Sequence, residues 1–228
     1  MPGCTLVMDT SCSPLLLAIE KDGHRATARR KGIKQEKLLF PLLRSLLAKT
    51  GAEMKDISHI FIIRGPGRFT GIRIALTFAS MMKFLNKCDV KGATLFDVIY
   101  RQVIASGSYR AWKKQHINGS VAVVLHAFRE EYFLQIFDDQ HQGPCWMSRE
   151  ELLAKLAAYG QPLFVAGTDK EFASLDKLLG ASYSLARYAD CRVQPGTLID
   201  MVQENKWKQH ALEPLYLKPA RFELEQPK

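Results

Sequence analysis

The first 95 residues alternate strand-like and helix-like segments in an order that few folds share. Three apolar or alternating runs come first, and the short turns between them predict an antiparallel meander. Two helical patterns then alternate with two further strands, which is typical of an α/β sheet with mixed strand directions. The segments are, in chain order, strands 4–10, 14–21 and 23–31, helix 34–50, strand 58–64, helix 70–86 and strand 89–94.

The second half repeats this pattern with weaker signals. A helical stretch at 95–116 leads to a turn at Gly119, where we place the boundary between two packed subdomains, 1–116 and 117–228. The expected elements after this boundary are strands 119–127, 130–138 and 162–168 and helices 149–160, 170–179 and 194–205. The predicted fold class is therefore α/β with two related parts.

Cysteine usage and hydropathy bear on the cellular compartment. The five cysteines are scattered through 228 residues without a CxxC pair, so neither a disulfide framework nor a zinc site is indicated. No run approaches the roughly 18 apolar residues of a membrane-spanning helix, and a basic signal-peptide segment is missing from the N-terminus. We therefore expect a cytoplasmic protein that does not enter a membrane.

The formal net charge of +9 leaves two interpretations open. One is attraction to a nucleic acid, the usual acidic partner of a basic protein. The other is a solvated basic surface, since no RNA-recognition motif or zinc finger accompanies the charge. The densest basic group lies at 25–37 and includes Arg29, Arg30 and Lys31.

The stretch GPGRFTG at 65–71 joins a predicted strand to a predicted helix. Such a loop can bind phosphate, because free N–H groups and the helix dipole converge there. However, it lacks the GK[ST] ending of a Walker loop and the GxGxxG spacing of a dinucleotide fingerprint. We favour a structural turn in which Gly65, Gly67 and Gly71 allow special backbone angles or close approach, and in which Thr70 caps the helix.

The helix predicted at 70–86 is apolar around more of its circumference than one sheet can cover. The helix at 34–50 likewise places leucines on more than one face. Packing of the two helices against each other is one explanation. The other is a protein interface, which contiguous exposed apolar surface often marks.

Four segments resemble the TsaB (YeaZ) family, the non-catalytic partner in bacterial tRNA threonylcarbamoyladenosine synthesis. They are LVMDTSCSPLLLAIEKDG, KQEKLLFPLLRSLLAKTG, RGPGRFTGIRIALTFAS and the C-terminal EPLYLKPA, of which GPGRFTGIRIAL is the most specific. The resemblance implies an actin-like ATPase fold (ASKHA, ribonuclease H-like) of two subdomains with mixed sheets. It also implies a heterodimer with the catalytic paralogue TsaD, an ATPase partner TsaE, and tRNA bound through the complex.

The same resemblance implies a partner interface built from the first two helices. Taken with the apolar surplus of both helices, it assigns a set of apolar residues to that interface. They are Leu38, Leu42, Leu46, Ile72, Ala75, Phe78, Ala79 and Met82.

Histidine spacing separates the chain from the catalytic paralogue, whose start also resembles the DTSC segment. TsaD-like enzymes hold their metal with an HxxxH pair, which places two imidazoles one helical turn apart. No two of the six histidines here are four residues apart. We therefore expect no metal site and no catalytic residue in this chain.

Two departures from the family pattern stand out. Lys34, Gln35 and Glu36 replace a His-Ser-Gln-like opening of the first interface helix. In the second half, His126 and Phe128 stand where the family usually has Asp and Arg. The second subdomain is thus divergent, and the resemblance assigns no residue roles there.

Asp9, Thr10 and Ser11 follow the first strand, where the actin-like fold has its first phosphate loop. The resemblance makes them a vestigial loop, because a second phosphate loop is not evident: 165–169 has a single glycine. We expect this chain to hold no cofactor by itself, with ATP or ADP binding at the partner interface as the alternative.

The expected function is that of a scaffold subunit that binds and activates a TsaD-like transferase. That enzyme moves threonylcarbamoyl from its adenylate to the adenosine next to the tRNA anticodon. The alternative is a stand-alone homodimeric nucleotide-binding protein or an M22-like peptidase. Self-association of the free chain through the same helices also stays open.

Overall fold

A computed structural model describes residues 3–32, 34–139, 143–169 and 173–218. Its first half follows the predicted order of three strands, helix, strand, helix and strand, which confirms that prediction. These elements are β1 (Cys4–Asp9), β2 (Leu15–Lys21), β3 (His24–Arg30), α1 (Gln35–Lys49), β4 (Ile57–Ile63), α2 (Phe69–Asn86) and β5 (Asp89–Ala93).

The second half contains more and shorter elements than the sequence pattern predicts. They are α3 (Leu95–Ile104), α4 (Gly107–Gln115), β6 (Ser120–Phe128), β7 (Glu131–Phe137), β8 (Cys145–Ser148), α5 (Arg149–Ala157), β9 (Leu163–Thr168), α6 (Asp176–Leu179), β10 (Ser184–Leu185) and α7 (Pro195–Val202). Strands β8 and β10 were not predicted, since two to four residues carry little periodicity. The helix expected at 170–179 is described only at α6, and 170–172 lie outside the described residues.

The two five-stranded mixed sheets have the same strand order and the same strand directions around their central strands. In the first, β1 pairs antiparallel with β2 and parallel with β4, while β3 and β5 form the edges. In the second, β6 pairs antiparallel with β7 and parallel with β9, while β8 and β10 form the edges. The predicted α/β class with mixed sheets is therefore confirmed.

The first sheet forms around a central strand that is buried along its whole length. All six residues of β1 are buried, as expected for a strand covered on both faces. Helix α1 packs on β2 and β3, and α2 packs on β4 and β5, so one hydrophobic core joins these helices to the sheet.

The chain divides into two compact units at places that differ from the predicted boundary after residue 116. The first unit is Met1–Val98 with Val193–Leu215, and the second is Ile99–Arg192 with Tyr216–Lys228. Helix α7 belongs to the first unit because it packs on β1, β2 and β4. Helix α4 belongs to the second, where Trp112 packs on Phe164 of β9. The sequence-based boundary missed the return of Val193–Leu215 to the first unit, because local composition does not change where the chain crosses between units.

Candidate functional site

The loop after β1 is closed by bonds within itself. The Oδ1 atom of Asp9 accepts hydrogen bonds from the Ser11 amide at 3.0 Å and from the Ser11 hydroxyl at 2.6 Å. Asp9 is only 4% exposed, and this burial raises the pKa of its carboxyl group, an effect that the Ser11 hydrogen bonds oppose. Asp9 therefore orders the turn that follows it.

Helix α2 begins in direct contact with this loop. The Thr10 hydroxyl donates a hydrogen bond to the Gly71 carbonyl oxygen at 2.7 Å. A Cβ atom added at Gly71 would lie 1.9 Å from the Thr10 carbonyl oxygen, far inside van der Waals contact. Position 71 therefore accepts glycine alone unless the backbone moves.

The glycine-rich turn before α2 lies equally close to the loop. A Cβ atom at Gly67 would lie 2.4 Å from the Ser11 carbonyl oxygen, which accepts a hydrogen bond from the Arg68 amide at 2.7 Å. Gly65 has a φ of +123°, which L side chains rarely adopt. The stretch thus works as a packed turn between the β1 loop and α2.

The predicted cap of α2 is wrong. The helix begins at Phe69 with Arg68 as its N-cap residue, and no side chain makes a capping hydrogen bond there. Thr70 is exposed on the first turn, one position after the helix start.

Gln35 completes the closure of the β1 loop, a role that the sequence did not suggest. The residue opens α1 and is buried, and its Nε2 atom donates to the Cys12 carbonyl oxygen at 2.7 Å. The one hint in the sequence was that Gln35 lies in the Lys34–Gln35–Glu36 stretch, which departs from the family pattern.

The β1 loop does not fit a phosphate group. A phosphate site needs free N–H and hydroxyl donors. Here the Ser11 amide and hydroxyl bind Asp9, and the Thr10 hydroxyl binds Gly71. Among the described residues there is also no group of three or more His, Cys, Asp or Glu side chains that could hold a metal ion.

Six of the eight residues assigned to a partner interface lie in the chain's own core. Both helices turn their most regular apolar stripe toward the first sheet and toward each other, which corrects the sequence-based assignment. Leu38 and Leu42 are half-buried at the edge of this core. The six buried residues are Leu46, Ile72, Ala75, Phe78, Ala79 and Met82.

Other apolar residues of the same two helices face solvent. They define what we call the docking face, namely Phe40 of α1 and Phe69, Met81, Phe84 and Leu85 of α2. Phe84 is 75% exposed. Large exposed side chains grouped along two adjacent helices are uncommon on monomeric proteins and mark interaction surfaces.

A groove of about 550 Å³ runs between α1 and α2 at this face. Phe40 and Phe78 meet edge to face at its side, with ring centroids 6.0 Å apart. The Arg73 guanidinium lies 3.9 Å from the centroid of the Phe69 ring. The groove is lined by Glu36, Leu39, Phe40, Phe69, Thr70, Arg73, Ile74, Thr77, Phe78 and Met81.

The basic group at 25–37 is only partly free to meet an acidic partner. Arg25 is paired with Glu20, and Arg29 donates a hydrogen bond to the Val193 carbonyl oxygen. Arg30 and Lys31 are exposed. No helix among the described residues has both the length and the apolar character needed to cross a membrane.

The two positions that depart from the family pattern in the second unit, His126 and Phe128, lie near basic residues. His126 is half-buried, with its Nε2 atom 2.8 Å from the Arg129 carbonyl oxygen. The exposed Phe128 ring lies beneath the Arg129 and Lys218 cations at 5.1 and 5.6 Å.

Comparison with known sequences gives consistent matches over part of the chain. The sequence model of the TsaD family, tRNA N6-adenosine threonylcarbamoyltransferase, matches residues 33–98. The TsaB protein of Buchnera aphidicola from Acyrthosiphon pisum is 23% identical over 68% of this chain and 67% of its own length. TsaB of Escherichia coli is 24% identical over 60% of this chain and 56% of its own length. TsaB of Haemophilus influenzae is 29% identical over 58% of this chain and 52% of its own length.

Solved structures extend the likeness to nearly the whole fold. YeaZ from Pseudomonas aeruginosa superimposes with a TM-score of 0.65 at 21% identity, over 94% of this chain and all of that one. A second structure, described as similar to the peptidase YeaZ from that organism, gives 0.66 at 21% identity, over 95% of this chain and all of that one. The chain therefore has the α/β, two-subdomain actin-like fold that the sequence predicted.

Proposed function

Because the chain belongs to the TsaB (YeaZ) family, we propose that it acts in the biosynthesis of threonylcarbamoyladenosine in tRNA. In this proposal it is a non-catalytic subunit that binds and activates a TsaD-like transferase. The transferase carries out the transfer of threonylcarbamoyl to the adenosine next to the anticodon. A TsaE-like ATPase and the tRNA itself join through the assembled complex.

The docking face is the observation that carries this proposal. It offers five large apolar side chains on two adjacent helices, beside a groove of about 550 Å³. Buried aromatic and aliphatic anchors supply most of the free energy of association at protein interfaces. The face lies within residues 33–98, the segment that the TsaD family model matches.

The closed β1 loop supports the non-catalytic part of the proposal. Its phosphate-binding groups are engaged by Asp9 and Gly71, so a nucleotide would have to displace three hydrogen bonds within the chain. We propose that any ATP or ADP in the complex is held mainly by the partner. Activation of the transferase is then an effect of binding rather than of chemistry in this chain.

Reconstitution tests the proposal. The purified chain, the TsaD-like and TsaE-like proteins of the same organism, and the enzyme that makes threonylcarbamoyl-adenylate are mixed with unmodified tRNA. Formation of the modified nucleoside should require this chain. A chain that hydrolyses ATP or a peptide by itself, and that the modification reaction does not need, would support the stand-alone alternative instead.

Two exposed apolar residues give a matched pair of variants. Phe84→Arg alters the docking face, whereas Ile117→Arg alters a residue of the second unit that is 78% exposed, close to the 75% of Phe84. Both variants should fold as the wild type does, because neither side chain is buried. Modification should fall with Phe84→Arg and persist with Ile117→Arg.

A further inference from the structure

A cavity of about 690 Å³ lies within the second unit. This volume falls in the range of about 300–1,000 Å³ that small-molecule sites occupy. The wall is formed by residues of α3 and α4, the start of β6, the end of β7 and the chain that follows α5. The cavity therefore adjoins the amino end of β6, whereas the closed loop of the first unit follows the carboxyl end of β1, the strand that corresponds to β6.

Four aromatic side chains line this cavity. Tyr100 of α3 and Phe137 of β7 stack on each other, with ring centroids 4.1 Å apart and ring planes 7° apart. Tyr109 of α4 and Tyr159 after α5 are the other two. Because the faces of aromatic rings carry partial negative charge, a wall of this kind attracts cations.

The charged side chains of the wall favour a cation as well. Asp138 and Asp139, directly after β7, supply two carboxylates, and Lys113 supplies one ammonium group, so the wall has a net charge of −1. The Lys113 Nζ atom donates a hydrogen bond to the Gly119 carbonyl oxygen at 2.7 Å. The Tyr159 hydroxyl donates to the Oδ2 atom of Asp138 at 2.8 Å, which holds this carboxylate in place.

One buried oxygen atom in the wall lacks a hydrogen bond. The Oε1 atom of Gln135 is buried and meets no donor among the residues that the structure describes. An acceptor left in this state destabilises the folded chain. Since Gln135 lines the cavity, a bound molecule with N–H groups can supply the missing donor.

From these three features we infer that the cavity binds a small organic amine in its ammonium form. An ammonium group donates three hydrogen bonds and accepts none, which suits the Gln135 oxygen and the two carboxylates. Its charge is attracted by the carboxylates and by the ring faces. A ligand with a single positive charge would balance the net charge of −1 on the wall.

The inference goes beyond the proposed function. The cavity lies in the divergent second unit, and none of its lining residues belongs to the docking face. A phosphate-bearing ligand is disfavoured there, because it would meet two carboxylates and one lysine that already binds a carbonyl oxygen.

Titration calorimetry of the whole chain with phenethylamine tests the inference. Phenethyl alcohol is the matched uncharged compound, since a hydroxyl replaces its ammonium group. We expect the amine to bind at least about tenfold more tightly than the alcohol, because hydrogen bonds to charged groups contribute more than neutral ones. Equal affinity for the two compounds, or no binding of the amine at concentrations up to about 10 mM, would overturn the inference.

Gln135→Leu shows whether binding takes place in this cavity. Leucine offers no acceptor, so the affinity for phenethylamine should fall by about tenfold. The melting temperature should hold or rise, because the change removes a buried oxygen that has no donor. A purely structural role for Gln135 would instead give a lower melting temperature and unchanged affinity, and that result would contradict the inference.

Asp138→Asn tests the charge of the wall. Asparagine keeps an oxygen acceptor for the Tyr159 hydroxyl but removes one carboxylate, so the amine should bind about tenfold more weakly while the alcohol binds as before. Asp176→Asn, an exposed position of α6 that does not line the cavity, is the control and should leave both affinities unchanged. Wild-type affinity for the amine in Asp138→Asn and in Gln135→Leu would show that the amine binds elsewhere.

Discussion

The Thr10 hydroxyl and the Gly71 carbonyl oxygen are joined by a 2.7 Å hydrogen bond that links the loop after β1 to the first turn of α2. The two residues are 61 positions apart in sequence, and both are buried. This contact, with the neighbouring Gly67, fixes where α2 starts and so which of its side chains reach solvent. The glycine-rich stretch therefore acts on the docking face at a distance.

Gly71→Ala is expected to lower the free energy of unfolding by about 1–3 kcal/mol or more, because the new methyl group would overlap the Thr10 carbonyl oxygen. Partner binding should weaken with it, since the start of α2 must shift. Chemical denaturation and partner titration measure the two effects. Gly107→Ala is the control, because a Cβ atom there meets nothing within 4 Å. Equal stability of both variants would contradict the close packing at position 71.

Ala79→Arg should prevent stable folding rather than separate a folded subunit from its partner. Ala79 is completely buried in the core between the first sheet and its helices, and an unpaired charge there costs several kcal/mol. The far-ultraviolet circular dichroism and the yield of monomer measure the outcome. A folded Ala79→Arg monomer that has lost only partner binding would instead mean that this position faces the partner.

Asp9→Asn is expected to stabilise the chain increasingly as pH rises. Burial raises the pKa of Asp9 in the folded chain above its unfolded value of about 3.9, so the folded state binds this proton more tightly. The stability that protonation contributes is complete below the unfolded pKa and is lost as pH rises through the folded pKa. Asparagine keeps an oxygen acceptor for Ser11 without the charge.

The measurement is the difference in melting temperature between variant and wild type from pH 4 to pH 8 (about the range in which such carboxyl groups titrate). Asp200→Asn, an exposed position on α7, controls for the loss of one negative charge. A difference that stays constant with pH, or that favours wild type at high pH, would show that Asp9 acts mainly as a stabilising carboxylate.

Calorimetry with ATP and ADP tests the closed loop directly. The isolated chain should show no binding at nucleotide concentrations up to about 1 mM, which corresponds to less than about 4 kcal/mol of binding free energy. Micromolar binding that Gly67→Val abolishes, while partner affinity is preserved, would show a working phosphate site instead. Gly67→Val should otherwise reduce stability and partner affinity together.

The sequence predicted the first sheet well because its strands and helices are long and their periodicity is regular. It also indicated that α1 and α2 carry more apolar residues than one surface needs. It could not indicate which of those residues face solvent, because Ala79 and Met81 belong to one apolar run and differ only in rotation about the helix axis. That rotation depends on tertiary contacts, namely the packing of α2 on the first sheet and of Gly67 and Gly71 on the β1 loop.

The second unit was harder to predict for a different reason. Strands β8 and β10 are short edge strands that form by pairing with a longer neighbour, so their own residues carry little signal. The role of Gln35 is similar, since its partner Cys12 lies 23 residues away. Short edge strands and the Gln35 hydrogen bond both depend on contacts between residues that are far apart in sequence, so local sequence patterns do not predict them.

The two sheets have the same strand order, but the helices that connect their strands differ in length. In the first sheet, the connections that follow the meander contain α1 of 15 residues and α2 of 18. In the second, the corresponding connections contain α5 of nine residues and, in their described part, α6 of four. A docking face built on two long helices therefore has no counterpart among the described helices of the second unit. The described part of the chain thus offers one such face, and we expect an assembly that uses this kind of contact to end at this subunit.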